Sequence, residues 1–138
     1  MNVAHRMPAA FIVGSGNVVH NLRRIDWSYG DRGFDWADRF DAHVREAMTT
    51  NPAALADVQR HPDHGAAVPT AEHFLPLAYV AGLCEAAGET AQPFAEGRTL
   101  GSLSMTSYLV GMAVPTTAGG SAAGQVLPRD VPPEQTNT

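Results

Sequence analysis

The sequence predicts an α/β fold, and three observations carry that prediction. A short apolar run, Phe11-Ile12-Val13, stops at Gly14 and Gly16 and reads as a buried strand followed by a tight turn. Residues 36–48 carry apolar side chains at helical spacing with Asp, Arg and Glu between them. Residues 101–111, GSLSMTSYLVG, alternate loosely and are rich in β-formers, so they read as a strand. A mixed sheet flanked by helices accommodates all three.

The first element ends in the stretch GSGNVVHNLRR, and residues 30–34 then form a loop. Asp35 is placed to cap the first helix, with Asp38 in its acidic first turn. Trp36, Phe40, Val44, Ala47 and Met48 make the core stripe of that helix, which leaves His43 on the wet side. Pro52 suits the first turn of a second short helix over 53–60. Residues 61–69 are a loop rich in His, Pro, Gly and Asp. Thr70 is a good N-cap for a third helix over 71–86, apolar on several faces and so expected to be buried between layers. Residues 114–138 are small, polar and rich in Pro and Gly, with too few large apolar groups to offset the entropy of ordering, so a disordered tail is expected there.

Composition removes several function classes. A net charge of −5 with nine scattered basic residues gives no electrostatic footprint for nucleic acid. No run approaches the roughly 20 apolar residues that span a bilayer, and no signal peptide is evident. A single cysteine, Cys84, excludes an internal disulfide. In its apolar surroundings it reads as a small buried hydrophobe rather than a nucleophile. The expected location is cytoplasmic.

Two stretches carry candidate chemistry. GSGNVVH has the first two glycines of a dinucleotide loop, but His20 stands where the third belongs and no clear helix follows, so the nucleotide signal is weak. His20 itself follows the C-terminal end of the first predicted strand, the edge where open α/β sheets bind ligands. On position alone the favoured reading is a loop histidine held by local hydrogen bonds. Asn17 and Asn21 read as turn residues, and Arg23 and Arg24 as solvated. The second stretch, RHPDHGAAVPTAEHFLPLAYV, gathers His61, His64, Glu72 and His73. Imidazole and carboxylate together suit divalent iron or zinc, but the spacing matches no standard zinc pattern. The plain readings are a solvated loop for His61 and His64, and complementation of a helix dipole for Glu72.

Taken in order, GSGNVVHNLRR, DWADRFDAHV, HPDHGAAVPTAEHFLPLAYVAG and GSLSMTSY resemble the C-terminal half of the DOPA 4,5-dioxygenase family, among the class III extradiol ring-cleaving dioxygenases related to protocatechuate 4,5-dioxygenase. The resemblance covers residues 8–111, and the pairing of VVHNLR with PTxEHFLPL is its specific part. It implies an α/β fold, a non-haem divalent metal (Fe(II) expected, Zn(II) possible), and a catechol or DOPA-like diol opened with O₂. It places His20 at the metal as ligand or acid/base, makes His73 a metal ligand, and leaves Glu72 as the alternative carboxylate ligand. One departure is Val68, where many relatives carry a polar residue.

The same resemblance implies that further histidine ligands lie in an N-terminal half that these residues do not contain. The expectation is therefore a partial single domain over 8–113, followed by the tail over 114–138, with a separate N-terminal half or a homo-oligomer as possible partner. A fragment of this kind is not expected to cleave a ring by itself. The alternative is a non-catalytic metal-binding or interaction subunit, or a remnant.

Overall fold

The computed structural model of the chain describes residues 11–113. Its longest element is helix α1, Asp35–Thr50, followed by a 3₁₀ helix over Pro52–Arg60, a one-turn helix α2, His64–Ala67, and helix α3, Leu75–Ala87. Four short strands follow among the described residues: β1, Gln92–Ala95, β2, Arg98–Thr99, β3, Leu103–Ser104, and β4, Ser107–Leu109. β1 pairs with β4 and β2 with β3, both antiparallel. An antiparallel bridge joins His20 to Leu103, and a parallel bridge joins Gly33 to Gly101. The architecture is thus mixed α/β, with its sheet component divided into two small pairs.

α1 forms where the apolar period requires it. Ala37, Phe40, Val44, Ala47 and Met48 are buried along one stripe and pack on Val18, Val19, Leu55, Val58, Phe74 and Cys84. Trp36 packs partly buried against the same core, and His43 is exposed as expected. Asp35 and Asp38 complement the N-terminal dipole, but the capping position falls on Phe34 and no side chain caps it. Pro52 opens the second helix, which is 3₁₀ in form. At the end of α3 Gly88 takes the left-handed conformation, φ +66°, and its N–H reaches back to the last turn.

Five expectations are corrected. Phe11, Ile12 and Val13 form no strand; they are exposed, and none of the four strands pairs with them. The loop over 61–69 contains α2. α3 begins at Leu75, so Glu72 and His73 lie in the turn before the helix. The expected strand over 101–111 breaks into β3 and β4, each paired with a strand that the sequence did not reveal. α3 is also less buried than its composition implied: Ala81 and Cys84 face the core while Leu75, Tyr79 and Leu83 remain exposed. The expected tail lies outside the described residues. No helix among the described residues is long and apolar enough to cross a membrane.

Candidate metal and substrate site

The site is built around residues 17–21, which three other segments hold. On one side His20 N–H donates to the Ala67 carbonyl at 2.9 Å, and Asn21 Nδ2 donates to the Ala66 carbonyl at 2.7 Å. On another, Ser104 N–H donates to the Val19 carbonyl at 3.0 Å and Asn21 N–H to the Ser102 carbonyl at 3.1 Å. Ser102 Oγ returns a bond to the Asn21 carbonyl at 2.7 Å, and Asn17 Nδ2 reaches the Ser104 carbonyl at 2.9 Å. On the third side Asn17 N–H donates to the His73 carbonyl at 2.8 Å. Asn17 and Asn21 therefore join distant segments rather than merely shaping a turn.

This arrangement explains the glycines. A Cβ on Gly16 would overlap the His73 carbonyl oxygen, and one on Gly14 would press on Pro76 Cβ at 3.2 Å. The loop is glycine-rich because the turn before α3 lies directly on it, which requires no nucleotide.

The result is the meeting of two histidines 53 positions apart in sequence. The His20 and His73 rings stack with centroids 3.7 Å apart and planes 23° from parallel. Both are half-buried, and their chain neighbours Val18, Val19 and Phe74 are buried in the core. Burial lowers the His20 pKa below the ordinary imidazole value, and the neighbouring His73 lowers it further, against an opposing pull from Glu72. A neutral His20 keeps a lone pair available to a cation or a proton.

Glu72 is close enough for its charge to act on both rings, but its carboxylate accepts from Thr70 Oγ1 at 2.7 Å. That bond is the main reason its pKa lies below the usual carboxylate value. Among the described residues no three His, Cys, Asp or Glu side chains converge as a metal-binding group. The donor chemistry of the stacked pair fits two positions of a divalent metal's facial set, and leaves the third to residues elsewhere.

His61 and His64 do not join them. Their rings lie edge-on to Phe40, at 5.4 and 5.9 Å, and both are half-buried rather than solvated. His61 also accepts from Asp63 N–H at 3.2 Å, while Arg39 binds both oxygens of the Asp63 carboxylate, at 2.9 and 3.1 Å. Arg24 is exposed and lies 5.6 Å over the Trp36 ring, and Trp27 is exposed beside it. Val68, the departure from the family pattern, packs against the core.

Asp41 was not singled out from the sequence. It is 2% exposed, pairs with Arg98 Nη2 at 2.8 Å, and accepts from Ser104 Oγ and from Thr106 Oγ1, the latter at 2.9 Å. A signal was present: Asp41 falls on the apolar stripe of α1, one residue after Phe40 and three before Val44.

With this geometry in hand, known proteins offer one strong likeness. The chain is similar to 4,5-DOPA dioxygenase extradiol of Escherichia coli (strain K12). The two are 37% identical over 116 residues, which takes in 78% of this chain and 41% of that protein. The crystal structure of the uncharacterized protein JW3007 from Escherichia coli K12 is also 37% identical and superposes with a TM-score of 0.60, covering 68% of this chain and 40% of that one. The chain thus spans about two-fifths of the length of the relatives it matches. No protein-family model matches it.

Proposed function

We propose that this chain belongs to the extradiol ring-cleaving dioxygenases and carries part of their active site, residues 8–113 corresponding to the C-terminal part of the catalytic domain. The observation that carries the reading is the His20–His73 pair, two imidazoles from distant segments held 3.7 Å apart against buried apolar residues. The similarity to a protein named as an extradiol DOPA dioxygenase supports the same chemistry.

In this reading His20 and His73 face a non-haem divalent metal, Fe(II) by expectation with Zn(II) as a possible substitute. The substrate is a catechol or DOPA-like diol opened with O₂. When bound, the metal supplies Lewis acidity to the diol hydroxyls and a route for electron density toward O₂. The chain's own residues do the rest. His73 offers a nitrogen donor from a turn fixed on Asn17 and Gly16. His20 either offers a second donor or takes a hydroxyl proton and returns it, a role that its lowered pKa suits near neutrality. Val18, Val19 and Phe74, buried in the core, anchor the two backbone segments that carry the pair. The third ligand comes from residues beyond 11–113, either the remainder of a longer polypeptide, a separate N-terminal half or a second copy. Glu72 is the reserve carboxylate, available once released from Thr70.

The test is a titration of the metal-free chain with Co(II), read by its visible spectrum, followed by Fe(II) loading and an assay for O₂ uptake with DOPA. The expected result is Co(II) binding that His73→Ala abolishes, with ring cleavage appearing only when the missing ligand segment is supplied; loss of binding in His20→Ala as well would make His20 a ligand, and retained binding would make it the acid/base. Binding unaffected by either substitution would refute the metal reading. Turnover by the 138-residue chain alone would refute the partial-site reading while keeping the chemistry.

A further inference from the structure

We infer that Asp41 is a positioning residue for His20: a buried carboxylate on α1 that fixes the β3 segment on which the backbone around His20 is docked. The inference rests on His20 being a functional group, as proposed above, and extends it to a residue that touches neither histidine.

The argument begins with an oddity of the core. Asp41 is 2% exposed on a helix face otherwise lined by Ala37, Phe40, Val44 and Met48. Removing a carboxylate from water is costly, and buried ion pairs often add no stability over an apolar residue of similar size. Asp41 therefore calls for a reason other than stability. Its partners supply one. Arg98 stands on β2, Ser104 on β3 and Thr106 just beyond it, so one carboxylate gathers three side chains from the β2–β3 hairpin. Arg98 and Ser104 are themselves opposite each other in that hairpin. Arg98 also binds Asp38, one turn earlier on α1, at 2.8 Å.

Such a clamp is needed because β2 and β3 are two residues each. A pair this short has little to define its register, and a slip of one residue turns every side chain to the opposite face. Slippage would remove Ser104 from Asp41 and would also move the backbone atoms that hold the histidine segment. Ser104 N–H binds the Val19 carbonyl and Ser102 binds Asn21 through both backbone and hydroxyl, so His20 lies between the two anchor points. The Asn17 side chain, bound to the Ser104 carbonyl, extends the same control to the residue whose N–H holds His73. The route from Asp41 thus runs through the Ser104 hydroxyl and backbone to the backbone on either side of His20 and, by way of Asn17, to the His73 carbonyl. GSLSMTSY, the last stretch of the resemblance, acquires a use: Ser102, Ser104 and Thr106 are three of its five hydroxyl side chains.

The experiment reads ring geometry directly. Two imidazoles stacked at 3.7 Å shift each other's carbon-bound ring protons upfield, a proton NMR signature available in the metal-free chain. Asp41→Asn is expected to remain folded, with a cooperative melt, while the mutual upfield shift of His20 and His73 falls to less than half. Thr106→Val should reduce it in the same direction and Thr106→Ser should restore it. Glu96→Gln, which breaks the exposed Arg45–Glu96 pair between α1 and the residues after β1, is the control and should leave it intact. Co(II) affinity should drop roughly 10- to 100-fold in Asp41→Asn, the usual range for residues that orient ligands. Unchanged ring shifts in folded Asp41→Asn and Thr106→Val would overturn the inference, as would equal loss in Glu96→Gln. Where Asp41→Asn does not fold, the Thr106→Val and Thr106→Ser pair decides in the same way. Failure of the wild-type chain to bind Co(II) with its ring signature intact would count against the metal reading alone.

Discussion

Gly16 shows how one missing side chain can organise a site. Its backbone lies so close to the His73 carbonyl that a methyl group cannot be added without moving one of the two segments. The neighbouring Asn17 N–H bond to the same carbonyl makes that closeness specific rather than accidental. Gly16→Ala is therefore expected to push the His73 turn away, costing about 1–3 kcal/mol as overpacking does and lowering Co(II) affinity with it. Gly65→Ala is the natural comparison, because a Cβ there meets nothing and α2 gains a better helix former. Urea melts of the two variants, with metal titrations alongside, check the expectation; equal effects would show that the contact at Gly16 is soft. From sequence the two glycines of GSG could be read only as a turn or a weak nucleotide loop. What decides their use is the segment that lies on them, 57 to 62 positions away, and that proximity leaves no local mark.

At the scale of elements, legibility followed the length of the pattern. α1 has four turns of consistent periodicity, so its span and its buried face could be read to within two residues at either end. β2 and β3 are two residues each and cannot carry an alternation at all. Phe11-Ile12-Val13 has strand composition, but composition does not supply a pairing partner, and those side chains stay in solvent. α3 gave the opposite lesson: its apolar content implied burial all round, whereas only its Ala81–Cys84 side meets the core. The helices should therefore respond differently to substitution. Phe40→Ala removes a fully buried ring that touches Phe74, His61 and His64, and should cost about 3–5 kcal/mol. Tyr79→Lys, at a side chain 75% exposed, should change stability by less than about 0.5 kcal/mol. Chemical denaturation distinguishes them, and a large loss at Tyr79 would mean that its face is covered in solution.

At the scale of the whole molecule, titration links the site to the stability of the fold. The candidate residues were legible as a motif, but their meeting was not. It depends on α2, the turn before α3 and β3 converging on one segment, and each of those contacts is long-range. Convergence also removes water from imidazoles. Burial is the largest cause lowering the pKa of both His20 and His61, with His73 and His43, respectively, adding to it. A histidine whose folded pKa lies below its unfolded value of about 6.5 binds protons more readily when unfolded, so protonation favours unfolding. The contribution of each is complete above pH about 6.5 and is lost as pH falls through the folded value. Asp63 and Glu72 act later. Hydrogen bonds from Arg39 and Thr70 lower their pKa values, so what they contribute is present above about pH 4 and is lost only below it. The metal-free chain should therefore show a stability plateau at neutral pH and above, a first decline below pH about 6.5, and a second in stronger acid. His61→Asn should flatten the first decline without disturbing the stacked pair, while His20→Asn should flatten it and remove the ring-stacking signature together. Urea midpoints measured from pH 8 to pH 4 test this. A midpoint that stays level from pH 7 to pH 5, or rises as the pH falls, would mean that neither histidine is desolvated in the folded chain. The convergence that brings His20 to His73 would then be looser in solution than the contacts described here.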